Sequence, residues 1–259
     1  MAKKKKAVPA DAKVDSTLKK GLLILENLSA SSGSKGVTEL TRELGLTKSN
    51  TFRLLKTLVT LGYVKRLPDK TYAATLKTWQ VGRELVENLN LRELAHPIMQ
   101  HLSDETGEAI YLAVPENNTV VYIDKIDGKK SIRSWNPIGG SAPLHCVGTG
   151  KAILAAQYDT LRDVVAGSLE QYTALTITDL AALDKDVKIT LERGYAFDTG
   201  EFRERILSFG AVICMPDGEV IGALGISMPD VNLPEGDEGR MGSLVAHGAQ
   251  SLSQKLTSM

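Results

Sequence analysis

The chain has two cysteines, Cys146 and Cys214, in 259 residues. A disulfide framework is therefore excluded, and nothing points to an oxidising compartment. Long apolar runs are missing too. None approaches the ~18 residues that a membrane-spanning helix needs, so no membrane partner is expected. Met1-Ala2 and Lys3 to Lys6 have no apolar stretch behind them. A secretory signal is not expected there, and the expected compartment is the cytoplasm. What remains is a soluble globular composition, and the length favours two domains over one.

Net charge is absent only in sum. Residues 1–75 hold 15 Lys+Arg and 6 Asp+Glu, a net of +9, and the rest holds 16 and 25, a net of −9. A basic third joined to an acidic remainder suits a nucleic-acid partner. Uneven surface charge is the plainer reading, so the decision falls to pattern.

Residues 1–15 carry almost no large apolar side chain and read as a disordered basic arm. Leu18, Leu22, Leu25 and Leu28 recur at helical spacing, which predicts a helix with one apolar face. Next comes VTELTRELGLTKSNTFRLLKTLVTLGYVKR, residues 37–66. Thr38 can cap a short helix, Leu40 and Leu44 share a face, and Gly45 suits a left-handed turn. Thr47 can cap a second helix that turns Phe52, Leu55 and Val59 inward and closes at Gly62. Two short helices about a glycine turn make a helix-turn-helix. Lys48, Ser49, Asn50, Thr51, Arg53 and Lys56 crowd the start of the second helix, where they can meet base edges and phosphates. YVKRLPDKTYAA then reads as a hairpin about Leu67 to Lys70, a wing carrying Lys65, Arg66 and Lys70.

KKGLLILENL, VTELTRELGLTKSNTFRLLKTLVTLGYV and the wing resemble the N-terminal domain of the IclR family of bacterial transcriptional regulators. The resemblance implies a winged helix-turn-helix over residues 16–75 that reads double-stranded DNA as a dimer.

Residues 76–93 read as a linker helix, with a break expected between Asn90 and Pro97. Residues 94–259 change character. AIYLAVPENNTVVYIDKID is a hairpin turning at Pro115 to Asn118, and SIRSWNP is a short strand. A helix begins at Gly148, and LAALDKDVKITLERGY is a helix ended by Gly194. FGAVICMPDGEVIGALGISMP is a second hairpin, and a final helix carries Met241, Leu244, Val245, Leu252 and Leu256. An antiparallel sheet with helices on its faces is α+β. LHCVGTGKAILA, ERGYAFDTGEF and VIGALGIS resemble the GAF-like effector-binding domain of IclR proteins.

The stretch PLHCVGTGKAIL, residues 143–154, invites chemical readings. A phosphate loop fails, because Ala152 follows Gly150-Lys151 where Ser or Thr is required and His145 stands where the first glycine belongs. A Cys/His nucleophile is disfavoured, because His145 and Cys146 would point apart on a strand. His145, Cys146 and Cys214 lack paired metal-ligand spacing, so no metal is expected. An anion pocket at the helix start fits: glycines admit a ligand to the backbone, and first-turn amides lack partners. Alternatively, the glycines simply let the loop pack against the sheet.

The resemblance implies a small carboxylate held by the amides of Gly148 and Thr149, by Asp198, and by Ser208 and Ser227 on the last strands. Leu207-Ser208, Phe209 and Gly225 depart from the common family pattern. Trp135 and Ala142 could line an aromatic-sized cavity. The reading is an effector-responsive regulator, not an enzyme, without a cofactor. Its expected partners are a near-palindromic operator, a small organic acid and further copies of itself, as homodimer or dimer of dimers, with a tetramer favoured. A small-molecule enzyme with a fused DNA-binding-like domain, and a constitutive DNA-binding protein with an oligomerising second domain, stay open.

Overall fold

The Asp15 carboxylate accepts hydrogen bonds from the Thr17 and Leu18 amides at 3.0 and 2.8 Å, and so opens the first helix, α1 (Ser16–Ala30). The computed structural model describes residues 15–31, 33–81, 91–134 and 136–257. The expected basic arm thus lies almost wholly outside the described residues. The chain divides into two units, Met1–Asn88 and Leu89–Met259.

In the first unit, α1 is followed by α2 (Val37–Glu43), α3 (Lys48–Thr60) and a hairpin of β1 (Val64–Arg66) and β2 (Tyr72–Ala74). Gly45 takes φ +62° between α2 and α3, and Gly62 takes φ +81° after α3. Both need the left-handed region, which glycine enters without steric cost. Ile24, Leu28, Leu40, Leu54, Leu55, Val64 and Tyr72 form the core. The inward face of α1 is therefore rotated from the expected stripe: Ile24 and Leu28 are buried, while Leu18 and Leu22 are exposed. Thr38 is not a cap. Lys35 exchanges two backbone hydrogen bonds of 2.9 Å with Tyr72, which holds the chain extended up to Gly36, and α2 starts directly after it. Residues 77–81 are helical, and 82–90, with Leu85 and Leu89, lie outside the described residues.

The second unit opens with α4 (Leu91–Thr106), which runs straight through Pro97, so the expected break does not fall between Leu91 and Pro97. The sheet order is β5-β4-β3-β8-β7-β6, antiparallel throughout. The strands are β3 (Ala109–Glu116), β4 (Thr119–Ile126), β5 (Ser141–Pro143), β6 (Ala196–Asp198), β7 (Ile206–Cys214) and β8 (Val220–Pro229). Alternation along β3 splits the interior in two. Ile110 and Leu112 join a core with α4 and α8 (Glu238–Thr257). Ala109, Tyr111 and Ala113 join a core on the other face, with α5 (Gly148–Ala156), α6 (Tyr158–Ala166) and α7 (Leu180–Arg193). This is the expected α+β arrangement. The strand expected over 131–137 does not form among its described residues. The third strand is β5, displaced to the far side of Pro137 and the Gly139-Gly140 turn. Helix α6 has no counterpart among the elements expected from the sequence.

Candidate DNA-reading surface and effector cavity

On α3, Lys48, Ser49, Arg53 and Lys56 are exposed and Asn50 is half-buried. Thr47 caps the helix, its hydroxyl accepting from the Asn50 amide at 3.4 Å. Thr51 does not belong to this surface. It is fully buried, and its hydroxyl bonds to the Thr47 carbonyl and the Thr41 hydroxyl, each at 3.1 Å, pinning α3 to α2. Phe52 is the converse case. The sequence reading turned it inward, yet it is 51% exposed, because Leu54, Leu55 and Leu58 fill the core side of the helix. Lys65 and Arg66 on β1 and Lys70 at the wing tip are exposed. An open groove of about 610 Å³ between α3 and the wing has Lys48, Ser49, Phe52, Arg66 and Lys70 in its walls. The structure thus brings basic groups from two elements to one concave surface. Thr38 is exposed at the start of α2.

In the second unit, α5 starts against β7 with almost no clearance. A Cβ on Gly148 would come 2.7–2.9 Å from the backbone of Ser208 to Gly210, and one on Gly210 would overlap the Gly148 carbonyl. These glycines are needed for close packing, the plainer of the two roles the sequence allowed. The Gly148 amide is also engaged, donating to the Ser208 hydroxyl at 2.9 Å. Ser208 in turn donates to Asp198 at 2.7 Å. The other Asp198 oxygen accepts from the Gly200 and Glu201 amides at 2.9 and 2.7 Å. Burial nevertheless raises the Asp198 carboxyl above its ordinary range.

Around this chain of bonds lies a small cavity of about 30 Å³. Thr149, Asp198, Ser208 and Ser227 all reach it, from α5, β6, β7 and β8. Its wall also includes Tyr111, Tyr122, Asn136, Phe202, Arg203 and Ile206, which sequence reasoning does not assign to it, and Phe209 and Gly225, where the chain departs from the family pattern. For Tyr111 and Tyr122 the only sequence signal is aromatic spacing on strands, which burial alone would explain. The Tyr111 and Tyr122 rings pack at 5.0 Å. The Tyr111 hydroxyl accepts from the Asn136 amide at 2.9 Å, and Ser227 donates to Ser134 at 2.8 Å. No hydrogen bond of ordinary geometry reaches the buried Thr149 hydroxyl at the cavity, where the Tyr122 phenol is its polar neighbour. The Arg203 guanidinium, on an exposed residue, stands 5.6 Å over the Phe202 ring. Ala142 is core, paired with Val120 and away from the cavity. Trp135 lies outside the described residues.

Lys151 is buried and occupied. Its ammonium contacts Glu201 at 2.5 Å, Asp186 at 3.2 Å and the Phe197 carbonyl at 3.1 Å. It fastens α5 to the segment bearing Asp198. Burial pushes the Glu201 carboxyl up to about 7 against the pull of Lys151. His145 and Cys146 lie in a turn, not on a strand, and both are buried. The His145 Nε2 meets the Glu170 carbonyl at 3.0 Å, and burial raises the Cys146 thiol far above its ordinary value. This pair is not set up as a nucleophile and base. Among the described residues no group of three or more His, Cys, Asp or Glu converges as a metal site, and no helix is long and apolar enough to cross a membrane.

Comparison with known proteins agrees with both units. Residues 17–68 match the IclR helix-turn-helix domain, and residues 83–254 match the C-terminal domain of bacterial IclR transcriptional regulators. The transcriptional repressor IclR of Escherichia coli K12 is 31% identical over 250 residues, 95% of this chain and 91% of that protein. The crystal structure of the Thermotoga maritima IclR superposes with a TM-score of 0.76 at 27% identity, covering 93% of this chain and 98% of that one. An IclR homologue from Microbacterium hydrocarbonoxydans, crystallised with 4-hydroxybenzoate, shares the fold with a TM-score of 0.81 at 22% identity, covering 94% and 100%. With both domains matched in order across nearly its whole length, the chain belongs to the IclR family of bacterial transcriptional regulators, with a DNA-binding helix-turn-helix and an effector-binding domain.

Proposed function

We propose that this protein regulates transcription by binding a near-palindromic operator as a homodimer or dimer of dimers. In this reading α3 lies in the major groove, with the wing on the adjacent backbone. A small organic acid bound in the cavity of the second unit alters operator affinity. The observation that carries the effector half is the convergence of Thr149, Asp198, Ser208 and Ser227 on one cavity. A ligand oxygen would give the buried Thr149 hydroxyl, beside the Tyr122 phenol, a hydrogen bond of good geometry.

The aromatic wall favours a flat ligand, and the 4-hydroxybenzoate bound to the Microbacterium neighbour supports an aromatic acid as first candidate. Arg203 at the cavity supplies cationic charge for a carboxylate, and the Asp198–Ser208 pair suits a hydroxyl. A cavity of about 30 Å³ holds little more than a water or two. Ligand entry therefore requires the cavity wall to open, and a ligand that favours the opened state shifts the population toward it. The test is a thermal-shift screen of organic acids followed by operator titration. An acid that raises Tm and changes operator affinity supports the reading. Stabilising acids that leave the isotherm unchanged reduce the second unit to a binding or oligomerising module.

A further inference from the structure

We infer that Phe52 is a specificity-determining residue that reads the 5-methyl group of thymine in the major groove. The inference rests on the proposed reading of α3 as the groove-entering helix and adds a base contact to it.

A helix turns about 100° per residue. Taking Lys48 as zero, Phe52 falls near 40°, Lys56 near 80°, Ser49 near 100° and Arg53 near 140°. These five share one arc and are all exposed. Thr51 and Leu54, near 300° and 240°, fall on the other side of the helix and are buried, and Leu55, near 340°, is buried at the edge of the face. Phe52 therefore stands among the polar and cationic residues of the face, with half of its surface in water. Across the groove the wing presents Arg66 and Lys70.

A lone exposed phenyl needs no partner in itself, but Phe52 lies in the wall of the concave groove between α3 and the wing, so whatever fills the groove meets the ring. The surrounding charge selects that occupant. Lys48, Lys56, Arg66 and Lys70 are cations around the ring, which suits a polyanion and opposes an apolar or basic protein surface. In the major groove the one apolar group on a base edge is the thymine methyl, and phenylalanine is among the side chains that contact it. Ser49, one turn back on the same face, can take the neighbouring base edge in either hydrogen-bonding sense.

The full-length protein is used to enrich duplexes from a random-sequence library. Each thymine of the enriched half-site is then replaced in turn by deoxyuridine, which removes only the methyl group. The wild type is expected to lose about three- to fivefold in affinity at one thymine per half-site, the effect of burying one methyl group. Phe52→Ala should bind thymine and uracil equally there, keep the same salt dependence and keep its Tm. Phe52→Leu, which retains an apolar contact, should keep part of the preference. If the wild type is indifferent to every substitution, or if Phe52→Ala keeps the full thymine preference, the inference is wrong while DNA reading by α3 stands. A changed oligomeric state in Phe52→Ala with thymine preference intact would make the groove a protein contact and overturn it as well. A library that enriches no half-site removes sequence-specific reading by α3, and this inference with it.

Discussion

Thr51 and Arg53 lie two residues apart on α3 and face opposite ways. Thr51→Val removes a buried hydroxyl with two hydrogen bonds and should cost about 1–2 kcal/mol of stability, read by denaturant unfolding, with operator affinity unchanged in the folded fraction. Arg53→Ala should show the reverse. Its stability should stay within about 0.5 kcal/mol, and operator binding should weaken by about 1–3 kcal/mol if the side chain reaches a base. Glu201 gives a pH signature. Its folded-state carboxyl sits at about 7, above the ordinary 4.5, so the native state holds a proton that the unfolded chain releases between those values. By linkage, stability falls as pH rises through that window. Glu201→Gln should flatten that fall in unfolding curves taken from pH 4.5 to 7.5, and an unchanged profile would place the titration elsewhere. At this scale the sequence was only partly legible. Residue type and spacing could place Lys48, Ser49 and Arg53 on a polar face, because each suits water. They could not decide between Thr51 and Phe52, because a threonine is at home on either side and a phenyl is normally buried. Asp198, Ser208 and Ser227 emerged from family likeness. Tyr111, Tyr122 and Arg203 did not, since they reach the cavity from distant strands and loops that only the folded sheet brings together.

The element that organises the second unit is α5, whose first turn is pressed onto β7. Its glycines read equally well as ligand access or close packing, and only the fold could decide between them. Gly210→Ala should cost about 3 kcal/mol, because the added methyl meets backbone of Gly148 and Thr149 that cannot move alone. A loss under 1 kcal/mol in denaturant unfolding would mean that α5 is free to shift. Helix α3 was readable because its Thr47 cap and closing Gly62 agreed with the apolar period, and α2 and α7 were readable from apolar period and closing glycine alone. The β3–β4 and β7–β8 hairpins were readable because period-two apolar strands flank turn residues. The short helix α6 was not, because it follows α5 after a single residue, Gln157, with no capping side chain to mark its start. The strand expected over 131–137 does not form among its described residues, because hydrogen bonding to β4 begins only at the turn glycines Gly139 and Gly140 and the ladder at Ser141.

For the whole molecule, the charge division of +9 and −9 follows the two units closely. Operator affinity should therefore fall steeply with salt, as counterions displaced from phosphate return. A flat salt titration would separate the charge asymmetry from DNA binding. An effector bound in the second unit can act on operator affinity only through unequal affinity for two arrangements of the protein. The most direct measurement is fluorescence anisotropy of a library-enriched operator duplex titrated with the full chain, without and with each acid that raises Tm, 4-hydroxybenzoate first. It is run in parallel with Thr149→Val and Ser227→Ala. The expected result is an acid-dependent change in operator Kd of about 5- to 150-fold in the wild type, much reduced in both variants, with their affinity for DNA alone preserved. An isotherm that no stabilising acid alters, or a full response in both variants, would contradict the account.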